Sequence, residues 1–105
     1  MIIYISGPIT GVPDYKERFA AAGQLLLERD ITVINPANMD KLLKGREANY
    51  GNILKMDMKL LELCDGILML PGWEHSLGAR TERQWMIDRK RPVWYAEETP
   101  EETDD

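Results

Sequence analysis

Residues 2–8 read IIYISGP, a short β-rich apolar run that ends at a serine, a glycine and a proline. Continuous apolar runs of this length are typical of strands buried on both faces, as in a parallel sheet. The runs ITVIN at 31–35 and ILML at 67–70 have the same character, and VWYA at 93–96 follows a proline that suits a strand's first position. The sequence therefore predicts four strands.

Segments with helical spacing separate these runs. A capping box at 14–17 starts a predicted helix at about 14–29, and Asp30 stands where a left-handed C-cap is needed. Further helices are expected at about 52–64 and from Ser76, a good N-cap, to about residue 90. The order βαβαβαβ predicts a single-domain, doubly wound parallel α/β fold of flavodoxin or Rossmann type, with strand order 2-1-3-4.

Length and composition narrow the class of protein. The chain has 105 residues, which suits one domain, assigned here to 1–96, while residues 97–105 form an acidic tail expected to be disordered. A net charge of −5 argues against general nucleic-acid binding. One cysteine and one histidine make a disulfide framework or a structural zinc site improbable.

The chain contains no apolar run near the roughly 18 residues that span a bilayer, and its start lacks the basic region of a signal peptide. We therefore expect a cytoplasmic protein without membrane contact. Leu77 and Ile87 fall off the predicted core face of the third helix, which favours a homodimer or a higher homo-oligomer.

Two carboxylates fall on apolar helix faces. Asp57 lies inside the broad apolar arc of the second helix, beside Cys64, and Glu82 lies among small and apolar residues of the third. A carboxylate there is costly unless it is paired, hydrogen-bonded or facing a cleft. Either acid could be structural, but both helices start at the carboxyl edge of the sheet. Paired carboxylates in a cleft suit acid/base or nucleophilic work at a sugar carbon.

Several residues near this edge are candidates for ligand binding, each with a plain structural alternative. The start of the third helix, Ser76 and Gly78, could bind an anion. Trp73 could stack on a base or simply pack, and Asn35 could meet a ligand or make a turn. The first loop offers a second turn with accessible backbone, formed by Ser6, Gly7, Pro8 and Gly11.

Taken together, these motifs resemble the nucleoside 2-deoxyribosyltransferase superfamily, in particular its small phage and bacterial members of unassigned function. The resemblance runs from Tyr4 to about Tyr95. It is carried by YISGPITG at 4–11, by Asp57 eight residues before the Cys-Asp pair at 64–65, and by SLGARTE at 76–82, which is similar to the superfamily's Ser-x-Gly-x-x-x-Glu segment.

The resemblance implies a transferase or hydrolase of nucleoside or nucleotide N-glycosidic bonds, acting through a covalent glycosyl–glutamate ester without metal or cofactor. It implies Glu82 as nucleophile, Asp57 as acid/base or base-positioning group, and Tyr4 as a hydroxyl near both the glutamate and the sugar. The ligand-binding candidates named above would hold the sugar or a 5′-phosphate. The alternative is a nucleotide-binding sensor module without turnover. The base, the sugar and the need for a phosphate stay open.

Overall fold

The computed structural model describes residues 1–39, 56 and 58–96. The predicted tail at 97–105, the position of Asp57 and the first turn of the predicted second helix lie outside these residues. Residues 58–62 are helical. The other elements are β1 (Ile2–Ser6), α1 (Tyr15–Leu27), β2 (Thr32–Ile34), a 3₁₀ turn (Pro36–Met39), β3 (Gly66–Met69), a second 3₁₀ turn (Trp73–His75), α2 (Leu77–Asp88) and β4 (Val93–Tyr95).

The four strands form one sheet in the order β2-β1-β3-β4, and every pair is parallel. Tyr4 pairs with Ile34 on one side and with Ile67 on the other, and Met69 pairs with Tyr95. The predicted α/β class and strand order are therefore confirmed. Because all strands run the same way, their carboxyl ends share one edge of the sheet.

The two faces of the sheet carry separate hydrophobic clusters. On one face Tyr4, Ile67 and Met69 pack with the helical segment 58–62 and α2, through the buried residues Leu61, Cys64, Ala79 and Met86. On the other face Ile5 packs with α1 and the first 3₁₀ turn, through Phe19, Ala22, Ala37 and Leu70. The alternation of Tyr4 and Ile5 between the faces follows from the two-residue period of a strand.

Some details of the predicted helices and strands need correction. The capping box at 14–17 does not form, because Asp14 makes no side-chain cap and its carboxylate accepts from Arg18 Nε at 3.0 Å. β3 starts one residue earlier than predicted, at Gly66, whose missing side chain leaves room for the indole of Trp94. The left-handed residue expected at Asp30 is confirmed by a φ of 61°.

A side chain from beyond α2 closes the C-terminal end of the helical segment 58–62. Arg91 Nη1 donates to the carbonyls of Leu61, Glu62 and Cys64, at 3.1, 3.1 and 2.8 Å. A helix end leaves its last carbonyls short of intrahelical partners, and the carbonyl of Leu61 also accepts from the N–H of Cys64 at 3.0 Å. Within the described residues, no helix has the length and apolarity that crossing a bilayer requires.

Candidate active site

Glu82 is the centre of the site, since it is a buried carboxylate on the sheet-facing side of α2, with 6% of its surface exposed. Tyr4 Oη donates to its Oε2 at 2.7 Å, and Ser6 Oγ donates to its Oε1 at 2.5 Å. Both hydroxyls are themselves buried. The carboxylate predicted to sit among apolar residues is therefore held by two hydroxyl groups, one on each oxygen.

The strand geometry explains why these two hydroxyls meet one carboxylate. Tyr4 and Ser6 are two residues apart on β1, so their side chains leave the same face of the sheet. β1 lies between β2 and β3, and α2 packs on this face. Glu82 therefore contacts the last residues of β1, at the carboxyl end of a central strand. Ligands of doubly wound sheets bind at this edge.

Burying a carboxylate is costly unless its oxygens are hydrogen-bonded. Here both oxygens accept from hydroxyls, and no buried side-chain nitrogen or oxygen among the described residues lacks a partner. Hydrogen bonds to an ionised acceptor are stronger than neutral ones. The arrangement fixes the orientation of the carboxylate, as a nucleophile or a ligand-binding group requires.

The loops after β1 and β3 lie against each other beside this carboxylate. Gly7 packs so closely on Leu70 that a Cβ at position 7 would lie 2.8 Å from Leu70 Cβ. Pro8 packs on Gly72, which has a φ of 90° and so favours glycine. The two loops predicted to form the binding edge are thus neighbours. Gly11 has a φ of 79° and open space where a side chain would be.

The start of α2 is capped by its own sequence. Ser76 Oγ accepts from the backbone N–H of Ala79 at 3.2 Å, which confirms the predicted N-cap. Gly78 lies in the first turn of this helix. Asn35 makes a turn, which was the structural alternative to ligand binding, because its Oδ1 accepts from the N–H of Ala37 at 3.0 Å. Ligand binding by these three residues stays a prediction.

Trp73 packs against the Tyr4 cluster and belongs to an aromatic group that the sequence analysis missed. Its ring centre lies 5.7 Å from that of Tyr95, and the guanidinium carbon of Arg83 lies 4.7 Å from the indole centre. Arg83 Nε donates to Tyr95 Oη at 2.7 Å. Two sequence positions could have indicated this group, because Tyr95 lies at the end of the fourth strand and Arg83 directly follows Glu82.

Cys64 and the metal-ligating types of side chain are the other groups that could carry chemistry. Cys64 is buried, and burial is the main reason that the pKa of its thiol rises from its ordinary value of 9.0 to about 11. A thiol with this pKa is a poor nucleophile near neutral pH. Over the described ranges 1–39, 56 and 58–96, no group of three or more His, Cys, Asp or Glu side chains is placed to hold a metal ion.

The family model described as "Domain of unknown function (DUF4406)" matches residues 1–95, which is nearly all of the predicted domain. No curated protein and no solved structure matches the chain significantly.

Proposed function

The chain belongs to the DUF4406 family, and we propose that it acts on the N-glycosidic bond of a nucleoside or nucleotide, with Glu82 as the nucleophile. The observation that carries the proposal is the Glu82 carboxylate, buried at the carboxyl edge and oriented by the Tyr4 and Ser6 hydroxyls. The resemblance to the nucleoside 2-deoxyribosyltransferase superfamily, which rests on the segments around these same residues, supports the chemistry.

The first step is a displacement at the anomeric carbon. One Glu82 oxygen uses a lone pair to form a bond to C1′, and the C1′–N bond breaks with its electron pair going to the base nitrogen. A proton on the departing base completes this step, and the resemblance assigns its delivery to Asp57. The product is a glycosyl ester of Glu82 and a free base.

The second step releases the sugar. Water attacks C1′ in hydrolysis, or the nitrogen of a second base attacks in transfer. The ester C–O bond breaks, the electron pair returns to Glu82, and the nucleophile loses a proton. Tyr4 and Ser6 donate hydrogen bonds to the carboxylate that is regenerated, so they favour its departure as an anion.

Base release tests this proposal directly. Wild-type protein is incubated with the common ribo- and deoxyribonucleosides and their 5′-monophosphates, and free base is measured by chromatography. We expect Glu82→Ala to reduce release from the active substrate by several orders of magnitude, because the attacking group is lost. Glu62→Gln is the control, since it removes an exposed carboxylate that precedes β3 at the opposite edge of the sheet.

Covalent trapping separates an enzyme from a sensor. A 2-fluoro analogue of the active substrate slows ester breakdown, so intact-mass spectrometry should show one added glycosyl group that maps to Glu82. Tight binding of nucleotides with neither base release nor an adduct would instead establish the sensor function. An adduct on any other residue would remove Glu82 from the nucleophile's role.

The same assays define the contribution of Asp57. Asp57→Asn keeps the side-chain shape and removes the proton-donating carboxyl. We propose that base release then falls most for poor leaving-group bases, while the bound-ligand affinity changes little. An equal loss for all bases would assign Asp57 to positioning instead of to proton transfer.

A further inference from the structure

Arg83 is a partly buried residue, and its guanidinium contacts neutral groups. Its Nε donates to Tyr95 Oη at 2.7 Å, and its Cζ lies 4.7 Å from the ring centre of Trp73 and 5.8 Å from that of Tyr95. In the part of the chain that the structure describes, no carboxylate forms a salt bridge with it. The positive charge of Arg83 is therefore not neutralised by a neighbouring acid there.

These contacts hold the plane of the guanidinium but leave its far edge to act as a donor. The hydrogen bond uses Nε, and the stacking uses a face, so the two terminal NH₂ groups remain for another acceptor. That pair of donors matches the spacing of two oxygens of a phosphate or a carboxylate. Because the side chain is already held, binding an anion would cost less conformational entropy.

The charge pattern of α2 points the same way. The whole chain carries a net charge of −5, yet the first two turns of α2 hold Arg80 and Arg83, and its first turn has no acidic residue. A cation in the first turn of a helix opposes the helix dipole, so helix stability does not explain Arg80. Glu82 lies between the two arginines in the chain, but it is buried and its oxygens accept from Tyr4 and Ser6, so the more exposed charges in these two turns are the guanidiniums.

This positive group lies on the same sheet edge as Glu82. Tyr95 ends β4 and Ser6 ends β1, with β3 between the two strands. Adjacent strands are about 4.8 Å apart, so the ends of β1 and β4 are separated by about 10 Å. In a nucleotide, C1′ and C4′ are the ring carbons on either side of the ring oxygen, and the 5′-phosphate is attached to C4′ through C5′. A ligand with C1′ at Glu82 can therefore direct its phosphate toward β4.

We propose that Arg83 binds the phosphate monoester of a nucleoside 5′-monophosphate, with Tyr95 and Trp73 as the positioning residues that hold the guanidinium. The inference rests on the proposed function, because that function places C1′ at Glu82. It assigns the substrate class as nucleotides and makes Arg83 the residue that distinguishes a nucleotide from its nucleoside.

Paired binding measurements test the inference. Titration calorimetry compares dAMP, dCMP, dGMP and dTMP with the four matching deoxynucleosides, on wild type and on Arg83→Gln. We expect at least one monophosphate to bind wild type about 10-fold or more tightly than its nucleoside, which is the size of one charge-assisted bidentate contact. In Arg83→Gln that ratio should fall to about 1, while nucleoside affinity changes less than about 3-fold.

Three further variants locate the effect. Arg83→Lys keeps the charge without the two-pronged geometry and should retain part of the ratio, and it also serves if Arg83→Gln does not fold. Tyr95→Phe keeps the ring, removes the acceptor of Nε and should lower the ratio without abolishing it. Arg29→Gln is the control, because it removes an equal charge near the start of β2, at the opposite edge, and should leave the ratio unchanged.

Either of two results overturns the inference. One is the absence of any preference for a monophosphate over its nucleoside. The other is an equal loss of both ligands in the Arg83 variants, which would make the cluster a structural clamp. Failure of the proposed function looks different, since a preference that depends on Arg83 but comes without base release keeps the phosphate site. Release of base from nucleosides at the same rate as from monophosphates keeps the function and removes the site.

Discussion

Ser6 and Glu82 are 76 residues apart in the chain, yet Ser6 Oγ donates to Glu82 Oε1 at 2.5 Å in the buried interior. The bond joins the last residue of β1 to the middle of α2 and fixes the helix over the carboxyl edge. Tyr4 makes the equivalent bond to the other oxygen at 2.7 Å. The stability of the fold and the orientation of the proposed nucleophile therefore depend on the same three side chains.

The first prediction concerns this shared network. Tyr4→Phe and Ser6→Ala should each lower the free energy of unfolding by about 1–3 kcal/mol, because each removes a hydrogen bond to a buried carboxylate oxygen. In a Glu82→Ala background the same changes should cost about 1 kcal/mol less, because the acceptor is already absent. Urea unfolding of the single and double variants measures the difference.

Thr32→Val is the control for this cycle, since it removes an exposed hydroxyl at the amino end of β2, far from Glu82. Its effect should add to that of Glu82→Ala within about 0.5 kcal/mol. Additive effects of Tyr4→Phe or Ser6→Ala with Glu82→Ala would mean that the hydroxyls do not stabilise the carboxylate.

A second prediction compares two glycines. Gly7→Ala places a Cβ 2.8 Å from Leu70 Cβ, so the loops after β1 and β3 must separate, and we expect a loss of about 1–3 kcal/mol. Gly23→Ala lies inside α1, where the new Cβ makes ordinary contacts of 3.6 Å to Ile5 and 3.7 Å to Val33. It should stabilise the protein by about 0.5–1 kcal/mol through helix propensity. Thermal unfolding should show opposite shifts, and shifts of one sign would contradict the packing described.

The third prediction concerns the helix cap made by Arg91. Arg91→Ala removes the donor to three carbonyls at the end of the helical segment 58–62 and should cost about 1.5–3 kcal/mol. Arg89→Ala is the matched control, because this exposed arginine stacks on Trp85 with its Cζ 3.8 Å from the ring centre, while its Nη1 donates to one carbonyl, that of Trp85 at 3.4 Å, instead of three. Its loss should cost about 0.5–1 kcal/mol. Equal costs in urea unfolding would remove the capping role.

The fourth prediction is a stability loss in alkali that depends on Cys64. Burial, reinforced by the charge of Asp65 and opposed by Arg91, raises the pKa of the thiol from 9.0 to about 11. Below pH 9 the thiol is neutral in both states, so its contribution to stability is complete. Between pH 9 and 11 the thiol ionises in the unfolded chain but stays largely neutral in the folded protein. By pH 11 the free energy of unfolding has therefore fallen by about 2–3 kcal/mol.

Urea unfolding of wild type and Cys64→Ala from pH 8 to 11 tests this. The alanine variant should be less stable at pH 8, because it leaves a cavity beside Leu61 and Met86. The difference between the two proteins should shrink as the pH rises, since only wild type has the thiol to ionise. A constant difference over this range would show that the thiol does not titrate differently on folding.

Periodicity along the chain determined the elements and their order. The apolar runs at 2–5 and 67–70 have no polar alternation, so they fit strands covered on both faces, and the helices between them require right-handed crossovers. The α/β class and the strand order 2-1-3-4 follow from these two local signals and the connection rules. Glu82 could also be singled out, because helical spacing places a charge among small and apolar residues.

Tertiary packing decided the rest, because it depends on contacts between residues far apart in the chain. Leu27 and Leu63 both continue the apolar helical spacing of their segments, yet each is more than half exposed. Which hydroxyls hold Glu82, and which residues stack on Arg83, depend on how α2 lies across β1, β3 and β4. Hydrophobic spacing identifies the side of a helix that is buried, but the partners on that side are set only when the helix and the sheet pack together.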